Sequence, residues 1–201
     1  MCLNVPQLSK ELVNQVYLFV KDKYERINKL NRFNHIIGVY NMATNLAKLY
    51  GVDLYKAQIC ALLHDYYKYE SDEELKTLLT KEEIEECAGC TVMYHAFASS
   101  KVLAHFGIND IEMINAIKYH VFGHTNMTKL EEIILISDYT EDSRTYKDCI
   151  ECREILLNGD LNKAIYESTK RTIKHLENEN KTPHFEQLNV LDEYERKVNN
   201  D

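Results

Sequence analysis

The chain has no tryptophan, 2 prolines and 6 glycines among its 201 residues. So few helix breakers and turn formers exclude a fold of many short strands joined by tight turns, and they favour long helices. No apolar run approaches the roughly 18 to 20 residues that a bilayer-spanning helix needs. Met1 to Lys10 lacks the basic-then-apolar layout of a signal peptide, so a soluble cytoplasmic protein is expected. Positive charge is also in deficit, with 24 Lys+Arg against 32 Asp+Glu and a formal net charge of −8. That balance argues against a polymeric nucleic acid partner. It does not exclude a small anion, because a bound cation reverses the field locally.

Cysteine is present but sparsely placed, at 2, 60, 87, 90, 149 and 152. Two Cys-x-x-Cys pairs, Cys87/Cys90 and Cys149/Cys152, raise the question of a structural zinc. The second pair lies inside Tyr146 to Leu157, which has helical periodicity, and the pairs are far apart for a zinc ribbon. Without an export signal, reduced thiols are the expectation.

What is abundant is helical patterning. Leu12, Val16, Phe19 and Val20 form one apolar stripe, and Ile36, Tyr40, Ala43, Ala47 and Tyr50 form a second that Gly51 stops. Ala57, Cys60, Ala61 and His64 share a third face. Further helices are expected at about 81–87, 91–106, 110–120, 128–138, 144–157, 160–178 and 185–197, with Gly107, Gly123, Gly159 and Pro183 at the joints. Lys197 to Asp201 are polar and expected to fray. The simplest architecture is all-α: one helical bundle spanning 1–201, with a core at about 32–144 and additional C-terminal helices at about 145–197.

His64-Asp65 stands out within this pattern. Neighbouring residues cannot share one helical face, but at a helix end both side chains can turn into one cavity. Imidazole and carboxylate are ligands for iron, manganese or zinc that leave coordination positions open. With Lys68 the stretch reads His-Asp-x-x-Lys, a metal site with a cation three residues beyond the aspartate. His35, His95, His120 and Asp138 also lie in or at the ends of apolar segments, and a carboxylate ending such a run is costly to bury unless paired or metal-bound. Taken singly, Lys68 reads as a surface lysine and Asp138 as a helix cap. His105 and His175 read as hydrogen-bonded core histidines, and Asp53 and Asp110 as N-caps.

Four stretches carry a resemblance to a known family. They are Arg32-Phe-Asn-His35-Ile-Ile-Gly38-Val39 with its continuation to Asp53, Lys56-Ala57 through His64-Asp65-Tyr66-Tyr67-Lys68, Ala116-Ile117-Lys118-Tyr119-His120 with Gly123 and Met127, and Ser137-Asp138-Tyr139-Thr140-Glu141-Asp142-Ser143-Arg144. In this order they resemble the HD-domain metal phosphohydrolases, and more narrowly the YqeK-type symmetrical bis(5'-nucleosyl)-tetraphosphatases of bacteria, from about Arg32 to about Leu176. The resemblance implies an HD-domain helical bundle whose core metal ligands are His35, His64, Asp65 and Asp138. One or two ions per chain are implied, iron first and another divalent ion as the alternative. His95 and His120 complete a second metal or touch phosphates. Lys68 and Arg144 face the nucleotide phosphates, and Asp65 and Lys68 act in catalysis.

The implied reaction is hydrolysis of diadenosine tetraphosphate at its middle to two ADP, in a protein that can be a homodimer. Two alternatives stand beside it: an HD-domain hydrolase acting on another nucleotide or phosphate ester, and a non-catalytic nucleotide-binding regulator. The chain departs from the family pattern at Val121 and Phe122, which replace hydroxyl residues, and at Asp142-Ser143, which replaces Pro-Gly. His124 stands where an arginine is common, which makes it a candidate substrate contact.

Overall fold

The computed structural model describes residues 7–200, and it contains helices and no strand among them. Helix α1 (Lys10–Arg26) begins at Ser9, whose hydroxyl accepts from the Leu12 amide. Helix α2 (Leu30–Tyr50) ends at Gly51, whose φ of 69° is the left-handed conformation that glycine adopts without strain. Helix α3 (Leu54–Leu63) starts from Asp53 and α7 (Ile111–Lys118) from Asp110, each carboxylate capping two amides as the sequence suggested. Between them lie α4 (Asp72–Leu78), α5 (Lys81–Glu86) and α6 (Tyr94–Ser100). After α7 come α8 (Lys129–Thr140), α9 (Lys147–Leu157), α10 (Leu161–Asn178) and α11 (Phe185–Asn200).

Several boundaries differ from the expectation. The stretch 91–106 is not one helix: short 3-10 turns at Thr91–Met93 and Lys101–Phe106 flank α6. Helix α4 went unanticipated, although Ser71 and Glu74 form a reciprocal capping box at its start. Helix α11 runs on through Asn200, so the polar end at 197–200 is helical rather than frayed; Asp201 and Cys2 lie outside the described residues. His105 and His175 are exposed and not core histidines. His105 stacks on Phe19, and His175 pairs with Glu179 on the outer face of α10.

Helices α2, α3, α7 and α8 pack together at the centre, with α1 across α2 and α3 and α6 against α7. The stripes that the sequence shows supply the contact: Val16, Val20, Ile36, Ala43, Ala47, Ala57, Cys60 and Ala61 are fully buried. Helices α9 and α10 lie on α8, and α11 pairs with α10. The buried Glu132 carboxylate on α8 accepts from Tyr194 of α11 at 2.5 Å and is paired with Lys129, so the C-terminal helix is fastened to the core by a satisfied charge. The described cysteines are free thiols. Burial raises Cys87 and Cys152 to about 12, and no group of possible metal ligands among the described residues contains a cysteine.

Candidate metal centre

The centre is built where helices end. Leu63 is the last residue of α3, and His64 caps it, its amide still bonded to the Cys60 carbonyl. The chain then tightens into turns, with Tyr66 N–H bonded to Leu63 O and Lys68 N–H to Asp65 O. This lets both His64 and Asp65 face inward, as the adjacent pair demanded. From α1, the buried Tyr24 hydroxyl donates to the Asp65 carbonyl at 2.6 Å and fixes the turn. His120 likewise follows the end of α7, His95 is on α6, His35 is on α2 and Asp138 occupies the last turn of α8.

Three of the imidazoles are held by Nδ1 and present Nε2. His64 Nδ1 lies 2.7 Å from the Ala61 carbonyl and His120 Nδ1 2.8 Å from the Ile117 carbonyl, in both cases three residues back. His35 Nδ1 lies 3.0 Å from Glu141 Oε1. A carbonyl or carboxylate on Nδ1 fixes a proton there and turns Nε2 toward the centre as the ligating nitrogen. The rings of His35, His64, His120 and His95 stand in a row, with neighbouring centroids 5.7, 4.9 and 5.3 Å apart.

Asp65 sits in the middle of this row. Its Oδ2 lies 3.4 Å from His64 Nε2 and 3.9 Å from His35 Nε2. Its Oδ1 lies 3.0 Å from His95 Nε2, 3.6 Å from His120 Nε2 and 3.6 Å from Lys68 Nζ. Two trios therefore share one carboxylate, His35/His64/Asp65 and Asp65/His95/His120, each with its ligand atoms within 4.8 Å of one another. Asp138 Oδ1 closes the other side, 2.9 Å from His35 Nε2, and Arg144 Nη2 reaches the same oxygen at 2.8 Å.

Burial pushes Asp65 toward its neutral form, but His64, His120 and His95 together outweigh it and hold the carboxyl well below its ordinary range. Asp138 follows the same logic, with His35 and Arg144 overcoming burial. Both aspartates are ionised at neutral pH.

Burial lowers His95 to about 4, Lys68 and His120 adding to that and Asp65 opposing it, so its ring is neutral near pH 7. The unfolded chain takes up that proton near pH 6.5. Stability of the metal-free protein must then fall as pH drops from about 6.5 toward 4, because the unfolded state binds the extra proton. Urea melts should show the wild type losing up to roughly 3 kcal/mol relative to His95→Gln across that window. A difference independent of pH would mean that His95 is charged in the folded protein.

The donor set fits a metal ion. His35 Nε2, His64 Nε2 and Asp65 Oδ1 are buried and have no aligned hydrogen-bond partner. An unsatisfied buried polar atom costs about 1–3 kcal/mol, so three of them within one centre call for a ligand. Neutral imidazoles and ionised carboxylates are what a divalent ion binds.

Among the sequence candidates, His35, His64, Asp65, Asp138, His95, His120, Lys68 and Arg144 converge here. His124 does not. Its Nε2 pairs with buried Glu131 at 3.3 Å at the start of α8, about two turns from Asp138, and its ring packs on Tyr119. Two residues escaped the sequence reading. Glu141, fully buried, orients His35, and Arg32 donates from Nη1 to Asp65 Oδ2 at 2.9 Å. Gly38 was the available signal for Glu141: it lies one turn beyond His35, and a Cβ there would stand 2.2 Å from Glu141 Oε2.

An all-helical fold that gathers imidazoles and aspartates at its helix ends, adjacent His-Asp included, defines the HD class of metal-binding proteins. The HD domain family model matches residues 32–142. The chain belongs to the HD domain family, and within it to the family of the symmetrical bis(5'-nucleosyl)-tetraphosphatases. A protein so named from Staphylococcus aureus is 32% identical over 167 residues, covering 81% of this chain and 86% of the relative. Another from Bacillus subtilis is 35% identical over 153 residues, covering 75% and 82%. The crystal structure of a predicted HD superfamily hydrolase involved in NAD metabolism, from Clostridium acetobutylicum, superimposes with a TM-score of 0.78 at 30% identity. It covers 90% of this chain and 97% of that one.

Proposed function

We propose that this chain is a metal-dependent hydrolase that cleaves diadenosine tetraphosphate in the middle to give two ADP. The observation that supports this most is the single carboxylate of Asp65 set between two imidazole pairs, in a chain of the tetraphosphatase family. His35, His64, Asp65 and Asp138 would hold the first ion, iron before manganese or zinc, and His95 and His120 would hold a second beyond Asp65. Such an ion supplies Lewis-acid charge and lowers the pKa of water from 15.7 to about 7.

The protein's own groups do the rest. Asp65, ionised at neutral pH, accepts a hydrogen bond from the attacking water and orients it. Lys68, with Nζ 3.1 Å from His95 Nε2, places a point charge beside the reacting phosphate, and Arg144 offers a planar fork at Asp138. Charge spreads over the phosphoryl oxygens as the anhydride breaks, and fixed cations stabilise that state more than the substrate. A small cavity of about 60 Å³ adjoins His120 and Asp138 and is lined by Phe122, Tyr139, Thr169 and Gln187. Val121 and Phe122, the two apolar departures from the family pattern, both line this cavity. The described residues include no helix long and apolar enough to cross a membrane.

The test is product analysis. Iron-loaded protein incubated with diadenosine tetraphosphate should give ADP alone on chromatography. ATP with AMP would overturn the central cleavage. Turnover of other phosphate esters but not of the tetraphosphate would move the chain to the first alternative. Tight ADP binding with no turnover under any metal would favour a regulator.

A further inference from the structure

Helix α8 ends at Thr140, and the last carbonyls of an α-helix have no partner within it. Side chains from further along the chain take them up. Arg144 donates from Nε to the Asp138 carbonyl at 2.7 Å. Arg153, on α9 and with its side chain 16% exposed, donates from Nε to the Thr140 carbonyl and from Nη2 to the Glu141 carbonyl, both at 2.5 Å. The same Nη2 reaches the Arg144 carbonyl at 2.9 Å. One guanidinium therefore spans the turn from its first residue to its last.

A cation that only offsets the helix dipole would need no more than the first two of these carbonyls. The third lies beyond the helix and belongs to Arg144 itself. Ion pairing does not account for Arg153 either: Asp142 Oδ1 is 3.6 Å away on a side chain 87% exposed, where such a pair contributes little. What the fork fixes is the shape of 140–144, and two side chains of that turn face the centre. Glu141 Oε1 orients His35 at 3.0 Å, and Arg144 Nη2 meets Asp138 Oδ1 at 2.8 Å.

The turn has little stiffness of its own. Asp142-Ser143 stands where the family pattern has Pro-Gly, so no proline ring fixes φ there. Ser143 bonds Glu141 through its amide and its hydroxyl, but it moves with the turn on which it sits. Arg153 ties the turn to a separate helix, outside the segment 32–142 that the family model matches. We propose that Arg153 is a positioning residue for the metal centre: through the 140–144 turn it holds the Glu141 carboxylate on His35 and the Arg144 fork on Asp138. This rests on the metal-dependent reading above.

The experiment is manganese affinity, measured by titration calorimetry without substrate, on wild type, Arg153→Lys, Glu141→Ala and the double variant, with the thermal midpoint of each. Arg153→Lys keeps the charge near the helix end but has no fork to span three carbonyls. It should weaken manganese binding about tenfold, as expected when an outer partner of a ligand is displaced. In the Glu141→Ala background it should change affinity by less than about twofold. Arg153→Met should weaken binding at least as much and melt lower, because buried carbonyls lose their donor. Equal affinity in Arg153→Lys and wild type would overturn the proposal. So would a tenfold loss that persists in the Glu141→Ala background, since Arg153 would then support the bundle at large. Kinetics at saturating manganese test the other arm: Arg153→Lys should lower kcat/KM for diadenosine tetraphosphate about tenfold, and no further in an Arg144→Ala background. Additive losses would overturn that arm. The manganese cycle uses no nucleotide, so a wild type that binds manganese but releases no ADP fails the activity reading while the affinities still decide this one. A wild type that holds no manganese overturns both.

Discussion

Asp65→Ala should lower turnover of diadenosine tetraphosphate by at least about a thousandfold, since Lewis-acid stabilisation is worth several kcal/mol and each 1.4 kcal/mol is tenfold. It should also strip the protein of metal. The size of the effect follows from geometry: this one carboxylate belongs to both ligand trios, so its loss leaves neither complete. Asp65→Asn keeps the volume and removes only the charge. In the metal-free state it should melt lower, because Arg32 and Lys68 lose their buried anion, and it should still fail to retain metal. Metal content by elemental analysis and kcat on the same preparations decide the matter. Near-wild-type activity or full metal content in either variant would show that the site has been placed on the wrong residue.

Gly38→Ala should cost both stability and metal. In an ordinary helix interior this exchange gains about 1 kcal/mol, because alanine is the better helix former. Here the new methyl meets Glu141 Oε2, with the carboxylate carbon 2.9 Å away. That carboxylate cannot simply swing aside. It is fully buried and held by His35, by the Ser143 amide at 2.7 Å and by the Ser143 hydroxyl at 2.5 Å. Overpacking of this kind costs about 1–3 kcal/mol, which exceeds the helix gain. Displacing the group that orients a ligating imidazole weakens metal affinity by about 10- to 100-fold. A lower thermal midpoint together with a right-shifted metal titration is the expected result. Gly38→Ala combined with Glu141→Ala removes the collision with Oε2, but it leaves the His35 and Ser143 groups without their acceptor and should not recover metal affinity. If Gly38→Ala alone stabilised the protein and left metal binding intact, Glu141 would not be the constraint on that glycine.

The sequence exposed those features that are local. Apolar stripes at helical spacing marked α1, α2 and α3, and the caps at Gly51, Asp53 and Asp110 are each made by contacts within a few residues. The ligands lie inside or at the ends of apolar segments, and the family resemblance singled them out as a set. Helix α4 lacked such a stripe, having one buried side chain, Leu75, so only its capping box announced it. Tertiary contacts decided the remainder. His124 follows His120 by four residues, yet Glu131 holds it at the start of α8, away from Asp138. His105 has apolar neighbours in sequence but lies on an outer face. Arg32 and Glu141 were quoted within the family motifs, but their partners, Asp65 and His35, lie 33 and 106 residues away, where no spacing rule reaches.

That last separation also governs the order of events during synthesis. The ring of His35 receives its orienting carboxylate only after 106 further residues have been added, and contacts this distant in sequence close late because the loop entropy must be met first. A nascent chain that has emerged only as far as His120 already carries the four imidazoles of the centre but lacks Asp138 and Glu141. It can bind an ion loosely and in the wrong arrangement, as unfolded histidines do. Correct loading therefore belongs to the finished bundle, and a ribosome-stalled fragment ending before α8 should exchange its metal freely with a chelator.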